Sequence, residues 1–335
     1  MLQPVPIEPS DVRVSTGDLP DTLEVAHRLV AAHAAYGGDD DGEVATYIPV
    51  LAQADPELFG AAVTGVRGSS FDVGDAHHPF SLQSVSKPFV FALVCDAIGA
   101  EGARTTIGVN STGLPFDSVM AMELNVDRTI NPMVNAGAIA TTSLVPGSGT
   151  DDRWAYLLTG LSAFAGRPLE IDDEVFSSEM ASNLRNRGVA ELLASYGRLH
   201  CDPLEAVEVY TRQCSLRVTA HDLSVMGATL ANGGRNPTTG EQVIAEQHCK
   251  RVLAVLATAG LYERSGEWLY EIGLPGKSGV SGGIVAIAPG KGGLGSYSPR
   301  LDPAGNSVRG QRLTKHLSET LGLNLFASRP IDQDG

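Results

Sequence analysis

Basic charge is what this chain has least of. Its 335 residues carry 24 Lys and Arg against 39 Asp and Glu, a formal net charge of −15. A surface of that sign repels phosphate backbones and anionic lipid, so nucleic acid and membrane are not expected as partners. No apolar run approaches the ~18 residues of a helical membrane span. Met1-Leu2-Gln3-Pro4-Val5-Pro6 has neither a basic segment nor an apolar one, so no secretion signal is read there. The four cysteines (Cys95, Cys201, Cys214 and Cys249) form no CxxC pair. They are expected to be reduced, buried thiols in a cytoplasmic protein. No internal repeat or low-complexity tract is found.

What remains suits a soluble globular protein. Hydrophobic residues make up 43% and mean hydropathy is +0.01. The length exceeds what one core comfortably holds, so two lobes are expected. Residues 1–20, rich in Pro, Asp and Ser, read as a loose lead-in. Asp21 to Ala35 has helical spacing with Asp21 as its cap. Thr46–Leu51 and Phe59–Val66 read as strands. From Phe80 the pattern turns helical, with helices expected over Phe89–Ile98, Asn135–Leu144, Asp152–Phe164, Asn186–Tyr196, Pro203–Cys214 and Ala220–Ala231. Another helix follows Glu246. Strand signals return at Trp268–Ile272, Gly283–Ala288 and Gly295–Tyr297, before a last helix from about Gly305 to Leu321. Sheet elements thus flank a helical block. The expected architecture is one α/β (α+β) lobe built from residues 1–80 and 246–335, a helical lobe over 81–245, and an active site between them.

The chemistry starts at Ser84-Val85-Ser86-Lys87. A hydroxyl and an amine three residues apart share one helix face, which makes an acylatable serine without a histidine. Pro88 suits the first helical turn, where a missing N–H costs nothing. Downstream, Lys277-Ser278-Gly279-Val280 leads into an apolar run. A Lys-(Ser/Thr)-Gly on a strand is the other half of the serine acyl-transfer pattern, and its edge N–H can pair with that of Ser84 as an oxyanion hole.

Other candidates are weaker. His77-His78 has no third ligand at metal spacing and reads as a surface loop. Gly290-Lys291-Gly292-Gly293 lacks the spacing of a phosphate loop and reads as a turn between strands. Asp39-Asp40-Asp41 lacks spaced calcium ligands and reads as a solvated turn. Cys214, without a nearby histidine, reads as a core thiol.

Three stretches together carry a resemblance: Phe80-Ser81-Leu82-Gln83-Ser84-Val85-Ser86-Lys87, Asn131-Pro132-Met133-Val134-Asn135-Ala136-Gly137-Ala138-Ile139, and Gly273-Leu274-Pro275-Gly276-Lys277-Ser278-Gly279-Val280. With Ser224–Gly234 they closely resemble the serine-dependent glutaminases of the β-lactamase-like superfamily. The resemblance runs from about Tyr47 to Asn306. It implies a β-lactamase/transpeptidase-like fold, a mixed sheet with flanking helices plus an inserted helical lobe. It also implies an amidohydrolase that converts L-glutamine to L-glutamate and ammonia, with no metal and no organic cofactor, working as a homodimer or homotetramer. By the same resemblance Ser84 is the nucleophile, Lys87 its proton partner, and Tyr262 the tyrosine that relays protons above it. Tyr47, Asn135, Glu179, Asn186 and Tyr210 hold the amino-acid part of glutamine, and the N–H of Val280 completes the oxyanion hole. Either Lys87 or Tyr262 can take the first proton. One departure is Asn183, which stands where the family often has Gly; Asn tolerates left-handed backbone, which keeps the turn available.

The residue chemistry agrees. A free amino acid brings an ammonium and a carboxylate that both need partners once desolvated. Glu179 suits the ammonium, and Tyr and Asn side chains suit the carboxylate. Lys87 acts as a base only when burial or a nearby cation lowers its pKa. The competing readings are a β-lactamase or D,D-peptidase-like hydrolase on the same scaffold and a catalytically dead amino-acid sensor. The intact Ser84, Lys87 and Tyr262 speak against the sensor. Glu179 and the missing secretion signal speak against the peptidase.

Overall fold

The computed structural model describes residues 19–46, 48–115, 118–125 and 127–328. The first helix, α1 (Thr22–Tyr36), is capped by Asp21, whose carboxylate accepts from the N–H groups of Leu23 and Glu24. Strands β1 (Gly60–Gly65), β2 (Ser70–Gly74) and β3 (Phe80–Ser81) follow. Then come α2 (Ser86–Ile98), α3 (Ala100–Ile107), α4 (Met120–Leu124), α5 (Asn135–Ser143), α6 (Thr150–Ala165), α7 (Asp173–Ser182), α8 (Leu184–Ser195) and α9 (Pro203–Cys214). After β4 (Arg217–Val218) the chain forms α10 (Ala220–Ala231), α11 (Glu246–Ala259), α12 (Ser265–Ile272), β5 (Gly276–Ser278), β6 (Gly283–Ala288), β7 (Gly292–Tyr297) and α13 (Val308–Thr320).

The main sheet has the order β2-β1-β7-β6-β5 and is antiparallel throughout. It is therefore assembled from both ends of the chain, with the helices from α2 to α9 between. Three layers result. Leu29 of α1, Trp268 of α12 and Leu317 of α13 cover one face through Ile284 and Leu294. Helix α10 lies directly on the other face. That approach needs glycine in β7: a Cβ on Gly293 would meet Ser224 O and Ala228 N at 2.3 Å, and one on Gly295 would meet Ala220 O at 2.0 Å. Beyond α10, the nearly all-buried α2 packs Phe89 and Phe91 with Leu161 and Phe164 of α6. A further cluster joins Ile139 of α5, Val189 of α8 and Val207 of α9.

Where a short strand was expected over Thr46–Leu51, the described residues 48–50 form a turn that leads into a 3-10 segment, Leu51–Gln53. Pro49 lacks the N–H that a strand ladder needs there. Trp268–Ile272 also departs from expectation, being the end of α12. A strand would put Trp268, Tyr270 and Ile272 on one face. In the helix Trp268 and Ile272 share the buried face at i, i+4 while Tyr270 is 86% exposed. Six elements were not read individually: β2, β3, β4, α3, α4 and α7. Gly290 and Lys291 lie in the β6–β7 turn, as read, closed by Lys291 N–H donating to Ala288 O, while Gly292 and Gly293 already open β7. The expected absence of a third ligand near His77 fails in space. The turn is on the surface, but the fold brings Asp72 of β2 and His221 of α10 to His77; His221 lies too far along the chain for spacing to reveal it. The expected lead-in falls almost wholly outside the described residues, which start at 19.

Candidate active site

A cleft of about 420 Å3 opens beside the N-terminus of α2. Its walls include Gln83, Ser84, Asn135, Glu179, Asn186, Tyr210 and Val280. Each comes from a different device. Ser84 sits not in α2 itself but in the 3-10 turn Gln83–Val85 that leads into it, and Lys87 follows in the first turn of α2. Gln83 has φ +50°, a left-handed conformation uncommon outside glycine, and so does Tyr262 at φ +57°. Such strain persists only where surroundings over-determine it. Here it brackets the serine: Gln83 precedes Ser84 in sequence, and the Tyr262 hydroxyl is hydrogen-bonded to the Ser84 side chain. The same hydroxyl donates to Ser278 O at 3.3 Å.

Lys87 is fully buried. Its Nζ donates to Asn135 Oδ1 at 2.7 Å and to Met133 O at 3.3 Å. Loss of solvent lowers its pKa to about 8, despite an opposing pull from Cys214. Lys277, on β5, is buried too. Its Nζ donates to Ser278 O at 2.8 Å and lies 4.1 Å from the Tyr262 ring centroid. Burial first, and then the charge of Lys87, hold its pKa well below the ordinary lysine value. Burial pushes the Tyr262 hydroxyl up to about 12, with the Ser84 and Ser278 hydrogen bonds opposing.

The far wall carries a buried carboxyl group. Glu179, near the C-terminus of α7, is pushed up to about 7 by burial, while a hydrogen bond from Gln83 Nε2 pulls the other way. Asn135 Nδ2 donates to Asn186 Oδ1 at 3.4 Å, and the Tyr210 hydroxyl donates to Asn135 Oδ1 at 3.4 Å. One chain of polar contacts therefore joins Asn186, Asn135, Tyr210 and Lys87. Val280 lines the cleft just past β5, where the Gly279 N–H donates to Gly283 O and closes the turn.

Of the residues singled out from the sequence, Ser84, Asn135, Glu179, Asn186, Tyr210 and Val280 meet in this cleft, and Lys87 and Tyr262 lie against it. Tyr47 lies outside the described residues; its neighbour Ile48 lines the cleft. Asn183 ends α7 at φ −84°, so no left-handed turn is required there. Cys214 also lines the cleft, but burial pushes its thiol up to about 12, which fits the reading of a core thiol and not a nucleophile. Gln83, Asn183 and Arg185 were missed. Gln83 stood beside Ser84 in a quoted stretch, and its side chain is the one that reaches Glu179.

An antiparallel sheet with helices on both faces and an inserted helical block, its serine and lysine at a helix start facing a Lys-Ser-Gly strand, defines a β-lactamase-like fold. The comparisons take the class further. The family model described as Glutaminase matches residues 42–326. Glutaminase 2 of Yersinia pestis is 54% identical over 320 residues, covering 96% of this chain and 94% of that one. The glutaminase of Mycobacterium ulcerans is 49% identical over 298 residues, covering 89% and 93%. Among solved structures, a probable glutaminase, ybaS, superposes with a TM-score of 0.91 at 42% identity, covering 92% of this chain and all of that one. The Bacillus subtilis glutaminase YbgJ, in covalent complex with 5-oxo-L-norleucine, superposes with a TM-score of 0.80 at 31% identity, covering 91% and 99%. The chain belongs to the glutaminase family, hydrolases of linear amide bonds.

Proposed function

We propose that the cleft hydrolyses L-glutamine to L-glutamate and ammonia through a γ-glutamyl ester on Ser84. The observation that carries this is the pair of buried groups around the serine: an amine lowered to about 8 and a phenol hydrogen-bonded to the hydroxyl. Lys87 takes the first proton, because an amine at about 8 is far more often free of its proton at neutral pH than a phenol at about 12 is. Ser84 Oγ then bonds to the side-chain carbonyl carbon. The developing oxyanion accepts from the N–H groups of Ser84 and Val280. Collapse breaks the C–N bond, and the proton held by Lys87 passes through the Tyr262 hydroxyl to the leaving nitrogen, which releases ammonia and restores the free amine and the phenol. Water attacks the ester by the reverse path. The covalent complex that YbgJ forms with 5-oxo-L-norleucine supports covalent catalysis in a relative of this fold.

In the same reading Glu179 pairs with the substrate ammonium, while Asn186, Tyr210, Asn135 and Tyr47 hold the carboxylate end. A carboxylate at that wall favours a free amino acid over a peptide or a β-lactam. Helical residues 81–245 and the α/β residues on either side form the two lobes that flank the cleft. The protein associates as a homodimer or homotetramer, for which exposed Leu23, Leu184 and Tyr270 offer apolar surface; light scattering reads the mass. Four free cysteines support the expected cytoplasmic setting.

The test is ammonia release from L-glutamine with acid-quenched mass spectrometry. Ser84→Ala is expected to lose turnover and the γ-glutamyl adduct together. Lys87→Ala is expected to lower kcat by at least about 1000-fold. Turnover unchanged in Ser84→Ala overturns the mechanism.

A further inference from the structure

Away from the cleft, three chain segments bring imidazoles and a carboxylate to one point. Asp72 lies on the edge strand β2, His77 in the turn before β3, and His221 in the first turn of α10. Their ligand atoms all lie within 4.8 Å of one another. Asp72 Oδ1 is 2.8 Å from His221 Nδ1, and Asp72 Oδ2 is 3.3 Å from His77 Nε2. The two rings tilt toward each other with centroids 5.2 Å apart.

An ion pair between β2 and α10 needs only one histidine. The second is what the pairing does not use, and its side chain is 69% exposed. Two imidazoles and one carboxylate are the donor set of borderline divalent metals, whereas magnesium and calcium take oxygen ligands. With bonds near 2.0–2.1 Å, neighbouring ligands around a tetrahedral zinc stand about 3.3 Å apart. The Asp72–His77 separation is already at that value, while the Asp72–His221 pair at 2.8 Å is a hydrogen bond. Opening of that bond and rotation of the exposed His77 side chain are the movements needed.

The backbone beneath each ligand is anchored. The His221 N–H donates to Ala76 O, tying α10 to the turn that carries His77. Asp75 in the same turn accepts from Phe59 N–H at 2.9 Å. Thr219 and Asp222 form a capping box that fixes the start of α10, and Asp222 pairs with Arg167. Asp72 is held in the β1–β2 ladder opposite Ala62. We propose that Asp72, His77 and His221 form a surface site for a zinc-like divalent cation, with water completing the coordination. A bound ion pins β2, the turn 75–79 and α10 to one another. That turn runs directly into β3 and then into the strained Gln83-Ser84 pair, so the ion braces the approach to the nucleophile without touching substrate.

Calorimetric titration of the EDTA-stripped protein with ZnCl2 and with MgCl2 tests this, alongside the visible absorption of the cobalt(II) form. One zinc per chain is expected, no magnesium binding, and tetrahedral cobalt bands. His77→Ala, on the exposed turn, is expected to weaken zinc at least tenfold while metal-free glutamine turnover stays unchanged, which shows that it folds. His221→Ala and Asp72→Asn are expected to do the same and to abolish the rise in Tm that zinc gives the parent chain. Zinc binding of equal strength in His77→Ala places the ion elsewhere, for instance on a cysteine, and overturns the proposal. So does an absence of zinc binding, or magnesium binding as tight as zinc.

Discussion

An amine stripped of water loses much of its preference for the proton, and two of the lysines here are so stripped. Lys87 near 8 and Glu179 near 7 push activity in the same direction. In the proposed roles, Glu179 gains a proton below about pH 7 and its neutral carboxyl would no longer pair with the substrate ammonium, while Lys87 gains one below about pH 8 and would no longer serve as base. A plot of kcat/KM against pH is therefore expected to rise from pH 6 toward pH 9, with the lower step lost in Glu179→Gln. That variant is expected to raise KM for glutamine about 100-fold at pH 8 while changing kcat less, because it removes a contact shared by ground and transition states. An unaltered KM would remove Glu179 from the ammonium site. Lys87 stands in one of the long ordered motifs, whereas Glu179 stands in none of them and was singled out by the resemblance alone. Gln83 was not read as functional, since its part depends on a left-handed backbone and on a contact with Glu179, 96 positions away.

At the scale of elements, legibility followed burial. Helices α9 and α10 start and end where the apolar period and the caps place them, because most of their length is buried. The misread ones are short and mostly exposed. Helix α7 buries only Val175, so its 3.6-residue period carries almost no apolar signal, although Asp172 caps it with bonds to Glu174 and Val175 N–H. Strand β2 is an edge of five residues with half-buried Phe71 and Val73. Helix α5 shows how closely an element can be seated. A Cβ on Gly137 would fall 1.8 Å from Asn131 O. Gly137→Ala must push α5 away from the stretch before it and carry Asn135 off Lys87. It is expected to cost roughly 1–3 kcal/mol by denaturant titration and to lower kcat at least tenfold. A variant with both quantities unchanged would show that the contact can relax freely.

At the scale of the whole molecule, one buried cation ties the two chain ends. Arg309 of α13 is 1% exposed and donates to the carbonyls of Asp39, Pro56 and Glu57. Asp39, read as part of a solvated turn, also pairs with Arg312 through its carboxylate. The stretch so held includes Ile48 at the cleft wall. Arg309→Ala strands at least two carbonyls and is expected to cost at least about 2 kcal/mol. It is also expected to raise KM severalfold as the wall loosens, with kcat nearly kept. Loss of kcat alone would mean that the arginine acts on the chemistry itself. The two-ended sheet was expected from the order of strand and helix signals. Its pairing partners were not, because register between β1 and β7 is decided by a packing that no local pattern records.

That pairing has a consequence for how the protein is made. On its other edge from β2, Gly60 pairs with Tyr297, and at ~5–20 residues per second the chain between them takes roughly 10 to 50 s to leave a ribosome. Through that interval β1 and β2 are a lone hairpin, marginal by itself, while the helices from α2 to α9 can already pack. The part of the chain translated first is thus among the last to find its place, and its β1 edge waits exposed in the nascent chain until the final strands arrive.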